Sequence, residues 1–422
     1  MFASIKQIFS SKNRDLLKRI LFTLGALFVF KIGTSILVPG VKGSVSGLSY
    51  LEVLDAMSGG AFTKASIFAL GVTPYITAQI VIQLLSADIV PYLSELTKQG
   101  GVGRRKLNQI TRITGIALAF VQGYIYSYGY IGNGTPMDYI LYSLILTAGT
   151  ALVMWIGDQI TTKGIGNGIS LIIMAGIISV LPNMFKQLWV ELIAKDFLGL
   201  LIFLGFVLVF IAIIIGVIYV ETAERRIPIQ YANKSTSTLG KQSYMPFKLN
   251  SAGVMPVIFA SALLSIPQIL SSVIKKEKFT LFVTKYLNYT DGTGLILYII
   301  LILLFAYVYT FITLKPKELS DNLNQNGGYI PGIRPGKETV NYIKTVLNRI
   351  TIVGAVFLAA LSVLPIIFDK VSNLTTQITI SGTGLLIVVG VALDTYKQIE
   401  SQLVSRTYSK GRKGRRRWKV LF

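Results

Sequence analysis

The sequence predicts an all-α polytopic membrane protein with ten transmembrane helices in two inverted five-helix halves. Three observations lead there. Of the 422 residues, 52% are hydrophobic and 14% charged, and the mean hydropathy is +0.62; this excludes a soluble domain of ordinary composition. Apolar runs of spanning length recur ten times along the chain. A short interruption, G-V-x-P, occurs twice: Gly71-Val72-Thr73-Pro74 in ASIFALGVTPYITAQIVIQLLS and Gly253-Val254-Met255-Pro256 in SAGVMPVIFASALLSIPQIL. An isoleucine stands two residues after each proline, Ile76 and Ile258.

The first 19 residues are basic, with Lys6, Lys12, Arg14, Lys18 and Arg19, and lead into the apolar stretch Ile20 to Val38. That stretch is too long for a signal-peptide core and no small-residue cleavage site follows it, so it is the first span. Apolar runs of about 17 to 25 residues place the spans at 20–38, 66–86, 111–130, 138–157, 168–186, 198–220, 251–273, 293–314, 349–368 and 380–400. With segment 1–19 in the cytoplasm, 30 of the 41 Lys and Arg fall in inside segments and 9 in outside ones, while Lys31 and Arg112 lie within spans. The positive-inside bias supports that orientation, with both termini cytoplasmic.

Ten spans divide into 20–186 and 198–400, joined by an external linker at 187–197. Five per half forces the second half to enter the membrane from the opposite side, so each half carries G-V-x-P in its second span. Proline inside a helix removes a backbone hydrogen bond and crowds the preceding turn, so both spans are expected to be broken or kinked there.

Residues 48–62, LSYLEVLDAMSGGAF, are too short and polar to span, but Leu48, Leu51, Val53, Leu54 and Met57 offer an apolar face ended by Gly59-Gly60. Pattern alone favours an external helix lying on the interface over one folded back into the membrane. Two long cytoplasmic loops follow, 221–250 with Glu224-Arg225-Arg226-Ile227-Pro228, and 315–349 with GGYIPGIRPG around Arg334. Such loops are either plain connections or functional surfaces. The tail 401–422 is strongly basic and suits anionic lipid or RNA. Gly164-Ile165-Gly166-Asn167-Gly168 lacks the strand and Lys-Ser/Thr of a phosphate-binding loop and reads as a tight turn. Sequons at Asn133, Asn288 and Asn373 carry little weight.

Histidine and cysteine are absent, which removes imidazole and thiol catalysis, disulfides and the usual zinc and haem ligands. An enzyme is not expected, nor a metal or other cofactor. Within the spans the ionisable residues singled out are Lys31 in the first and Asp394 in the last; carboxylates that would bind a driving ion are lacking. No nucleotide-binding motif is present, so transport must be driven by a partner or by the substrate's own gradient. Lys31 faces either a neighbouring helix or a wet cavity.

The segments ASIFALGVTPYI, RRKLNQITR, GIGNGISLII, ERRIPIQYA, AGVMPVIFAS, GGYIPGIRPG and GTGLLIVVGVALDT, in this order, closely resemble the SecY family, the central subunits of bacterial protein-conducting channels. The resemblance implies an hourglass pore between the halves that opens across the membrane and sideways into lipid. Its constriction would be an aliphatic ring of Val72, Ile76, Ile169, Ile173, Ile258 and Ile387, with valine where isoleucine is more usual. Segment 48–62 falls where the family has its plug, assigning Leu51, Leu54, Met57, Gly59 and Gly60 to it. The sideways gate would involve Pro74 and Thr77 in span two and Pro256 and Ile266 in span seven. Arg225, Arg226 and Arg334 match positions that dock the SecA motor or the ribosome, with ribosomal RNA phosphate a suitable contact. The resemblance also implies SecE and SecG subunits, preprotein signal sequences as clients, and the bacterial cytoplasmic membrane as the location. A secondary transporter of a small solute is the rival reading, since inverted repeats and broken helices serve it equally.

Overall fold

Helices make up nearly all the regular structure of the computed structural model, which describes residues 14–39, 55, 58–86, 89–131, 134–193, 197–231, 243–274, 277–287, 292–372 and 382–418. They are α1 (Arg14–Gly33), α2 (Thr73–Leu85), α3 (Pro91–Lys98), α4 (Gly100–Ile131), α5 (Pro136–Lys163), α6 (Gly168–Ile193) and α7 (Phe197–Thr222). A hairpin of β1 (Glu224–Tyr231) and β2 (Ser243–Lys248) follows, then α8 (Met255–Ile274), α9 (Glu277–Tyr286), α10 (Gly292–Thr313) and α11 (Pro316–Gln325). The chain closes with β3 (Gly328–Tyr329), α12 (Lys337–Ser372) and α13 (Gly382–Trp418). Among the described residues, five helical stretches are long and apolar enough to cross a membrane: Pro136–Lys163, Gly168–Val190, Gly199–Thr222, Gly292–Gln325 and Lys337–Leu364.

Several elements depart from the expected spans for local reasons. The stretch 66–86 is helical only over Thr73–Leu85, and residues 61–72 form successive turns. Helix α1 ends at Gly33, which puts Lys31 in its last turn, where a cation suits the helix dipole, and away from the middle of a span. Helices α4 and α12 run well beyond their apolar cores into polar residues. Helix α13 continues to Trp418 because Lys and Arg are good helix formers. The sequons lie outside the described residues, as do Leu51, Leu54 and Met57 and the start of the chain before Arg14.

The chain forms two compact units, each built from segments distant in sequence. One comprises residues 1–76, 114–183 and 387–422, the other 77–113 and 184–386. In the first unit α1 packs on α5. Val38 N donates to Ala65 O (3.1 Å) and Ile67 N to Ile36 O (3.0 Å), tying the chain after α1 to the turns before α2. Those turns sit in a core of Phe62, Ala69, Leu70, Tyr130, Tyr142 and Leu146. Gly149 of α5 must be glycine, because a Cβ there would collide with the Ile67 carbonyl.

In the second unit α10 packs on both α8 and α12. Its β-sheet has the order β2-β1-β3, all antiparallel, with Ile227 opposite Met245 and Gln230 opposite Tyr329. Side chains along a strand alternate between faces, so Arg226, Pro228 and Gln230 are exposed while Ile227 and Ile229 are buried. The buried face meets Phe247, Leu323, Ile330, Ile343 and Leu347. The two long loops therefore share one small core and are not plain connections.

Candidate functional site: two matching helix starts and the segment before them

The two G-V-x-P motifs adopt the same local structure. Gly71 and Gly253 have φ of +52° and +60°, the left-handed region that glycine enters without a Cβ clash. Gly71 N donates to Phe68 O (2.9 Å) and Gly253 N to Asn250 O (3.4 Å), three residues back in each case. Five residues after each glycine, Ile76 N bonds Val72 O (3.0 Å) and Ile258 N bonds Val254 O (3.3 Å). Thr73 and Met255 open α2 and α8, so Pro74 and Pro256 are the second helical residues. There the missing N–H would have had no intrahelical partner. Of the break or kink expected at each motif, the structure shows a break: a glycine turn followed by a proline-led helix start, with no helical hydrogen bond lost. The proline inside α8 is Pro267, eleven residues later.

The aliphatic positions lie at helix starts. Val72 precedes α2, Ile76 lies in its first turn, Ile169 and Ile173 in the first two turns of α6, Ile258 in the first turn of α8, and Ile387 in the second turn of α13. Five are buried, from Val72 at 1% exposure to Ile258 at 9%, and Ile169 is half-buried. Ile258 belongs to the second unit and the others to the first. The turn before α6 is the tight one expected: Gly166 has φ +87°, and Asn167 Oδ1 accepts from Ile169 N (3.2 Å) and caps the helix. Pro74 and Pro256 are buried and Thr77 is half-buried in α2; Ile266 lies in α8.

The described end of segment 48–62 is tightly bonded. Gly59 and Gly60 both have positive φ, +76° and +79°. Gly60 N donates to Asp55 O (2.8 Å), Thr63 N to Asp55 Oδ1 (2.8 Å) and Phe62 N to Ser58 Oγ (3.2 Å). The Phe62 ring packs edge-on against Tyr126, with centroids 5.0 Å apart, and Tyr130 donates its hydroxyl to the Phe62 carbonyl. Composition alone did not single out these tyrosines; their spacing on α4 (Tyr124, Tyr126, Tyr128, Tyr130) is the signal that was available.

The basic positions are exposed in the second unit. Arg225 and Arg226 stand on β1, and Arg334 lies in the turn between Gly332 (φ +79°) and Gly336 (φ +100°). Arg226 Nε bonds Glu224 Oε1 (2.7 Å), and its guanidinium lies 4.8 Å from the Tyr244 ring centroid. The bond to Glu224 raises its pKa further above the usual arginine value, so the charge is constant. Pairing of β1 with β3, reinforced by Tyr329 Oη donating to Gln230 Oε1 (2.9 Å), brings the two loops into one sheet. Period-two alternation in Arg226-Ile227-Pro228-Ile229-Gln230 was the sequence signal for that sheet. Among the described residues no group of His, Cys, Asp and Glu is arranged to hold a metal.

These features define a polytopic helical membrane protein with paired, glycine-turned helix starts and a basic β-sheet platform. The family model for SecY matches residues 66–396. The protein translocase subunit SecY of Staphylococcus epidermidis (strain ATCC 35984) is 44% identical over 433 residues, covering 98% of this chain and all of that one. That of Staphylococcus aureus (strain NCTC 8325) is 45% identical over 422 residues, covering 96% and 98%. The chain belongs to the SecY family.

Solved structures agree in fold. A protein-conducting channel matches with a TM-score of 0.66 at 20% identity. A SecY channel, described by the role of its plug domain in stabilising the closed state and maintaining a membrane seal, matches at 0.63 and 19%. Sec61 from the canine ribosome-channel complex matches at 0.62 and 19%. Each match covers 92% of this chain and 93% of the other.

Proposed function

We propose that this chain forms the channel of a protein translocase, passing unfolded preproteins across the bacterial cytoplasmic membrane and releasing hydrophobic segments sideways into lipid. It is not an enzyme. The observation that carries the reading is the pair of identical helix starts at Gly71 and Gly253, each presenting a buried isoleucine, in a chain of this family.

Five-helix halves 20–186 and 198–400 surround the pore, and Val72, Ile76, Ile169, Ile173, Ile258 and Ile387 seal it. A narrow aliphatic collar offers water and ions no hydrogen bonds and so closes by dewetting, while flexible isoleucines accept any passing chain. Segment 48–62 is the plug, in keeping with the plug described for the neighbouring channel. The wall parts between α2 and α8, at Pro74, Thr77, Pro256 and Ile266. An apolar client stretch of ten residues gains about 3–6 kcal/mol on entering lipid, enough to sort signal sequences from passenger chain.

Arg225, Arg226 and Arg334 dock a ribosome or the SecA motor, and the neighbouring ribosome-bound channel supports the first. SecE and SecG complete the complex, the basic tail contacts anionic lipid, and both termini are cytoplasmic. The relatives lend the solute-transporter reading no support. The test is reconstitution of the purified chain with its co-purifying subunits in proteoliposomes. Motor-dependent protection of a preprotein from protease is expected; ion-coupled uptake of a small solute with no preprotein import would overturn the reading.

A further inference from the structure

Lys31, in the last turn of α1, is a cation that the channel reading leaves unexplained. Its ammonium donates to Ser179 Oγ (2.9 Å) and to the Gly59 carbonyl (3.3 Å). The Ser179 hydroxyl donates to Gly176 O (2.8 Å), leaving an oxygen lone pair to accept from Lys31. Gly59 lies directly on this part of α6: a Cβ there would meet Ser179 Oγ at 3.1 Å and Gly176 Cα at 3.2 Å. The base from which Lys31 reaches is itself braced. Phe30 stacks on Phe68 with centroids 6.0 Å apart, and Thr34 Oγ1 donates to the Lys31 carbonyl (2.7 Å).

We propose that Lys31 is a positioning residue that latches the end of the plug segment, through the Gly59 carbonyl, onto Gly176 and Ser179 of α6 in the closed channel. The chemistry suits a reversible latch. A charged donor makes a stronger bond to a carbonyl than a neutral donor does. When Gly59 leaves, the ammonium keeps Ser179 and takes up water, so no bare charge is stranded. The latch is separate from the aromatic seat of Phe62, which holds the following residues, so Gly59 can be released while Phe62 stays as the hinge.

This inference rests on the plug reading, and the experiment separates the two. Resting conductance of the purified complex is measured in planar bilayers for the unsubstituted chain, Lys31→Met, Lys31→Arg, Ser179→Ala, a deletion of residues 48–57, and that deletion combined with Lys31→Met. Expected are a several-fold rise for Lys31→Met, a smaller rise for Ser179→Ala, near-normal closure for Lys31→Arg, and no further rise when Lys31→Met is added to the deletion. A leaky deletion with a tight Lys31→Met overturns the latch alone. A tight deletion overturns the plug reading and the latch with it. Additive leaks in the combined variant show that Lys31 acts elsewhere and also overturn the latch. Should Lys31→Met not accumulate, Ser179→Ala decides, and unchanged conductance there overturns the latch.

Discussion

Tyr130 Oη donates a hydrogen bond to the Phe62 carbonyl oxygen at 2.5 Å across 68 residues of sequence, joining α4 to the turns that precede α2. Both residues are almost wholly buried, at 3% exposure each, so the carbonyl has no water to fall back on. Tyr130→Phe keeps the ring in its aromatic cluster and removes only the donor. Leaving a buried acceptor unmet costs about 1–3 kcal/mol, so thermal unfolding in detergent should come several degrees lower. An unchanged midpoint would mean that the bond contributes nothing.

The paired glycines give a second expectation. Gly253→Ala places a Cβ in open space, so its whole effect is backbone strain at φ +60°. At Gly71 the added carbon would meet Ser58 at an ordinary 3.5 Å, so strain dominates there too. Each substitution should lower stability by about 1–2 kcal/mol, and nearly equally, because the two turns are alike. A loss at one site only would deny the structural equivalence.

For the aliphatic seal, Ile387→Asn puts an amide among buried apolar groups and invites water. Resting conductance in planar bilayers should rise, whereas a conservative Ile387→Leu should leave it low. An Asn variant as tight as the parent counts against assigning Ile387 to the ring.

Because the chain lacks cysteine, Thr77→Cys with Ile266→Cys introduces its only thiols. Oxidation should link them in the resting channel, and the linked form should stop preprotein export while the reduced form restores it. Full-rate export with the disulfide verified would sink the sideways gate.

The sheet platform separates charge from fold. Replacing Arg225, Arg226 and Arg334 together by alanine removes exposed charge, and exposed ion pairs are worth only about 0–1 kcal/mol. Motor or ribosome binding should fall at least tenfold with the unfolding midpoint nearly unchanged. Ile227→Asp, by contrast, buries a carboxylate in the shared core and should lose binding and stability together.

Legibility in the sequence varied with the range of the interaction concerned. The turn at Gly166-Asn167 and the apolar runs follow from neighbouring residues and were readable. The G-V-x-P motif was marked as a break or a kink, and the structure shows the break. Proline at the second helical position and proline in mid-helix share one local sequence, and the left-handed turn at Gly71 separates them. The Ile227–Ile229 alternation was present but brief, and strand β1 becomes stable only when β2 and β3 flank it.

By itself the sequence determined that this is a membrane protein of many apolar runs, and through its motifs that it resembles the SecY family. Hydropathy acts over some twenty consecutive residues, because lipid as solvent imposes its demand on each spanning segment separately. Only the tertiary structure decided what Lys31 bonds, how Phe62 is seated and that two loops share one sheet. Lys31 and Ser179 are 148 residues apart, and Gln230 and Tyr329 are 99 apart. Partners so distant are chosen by packing, which no local pattern encodes.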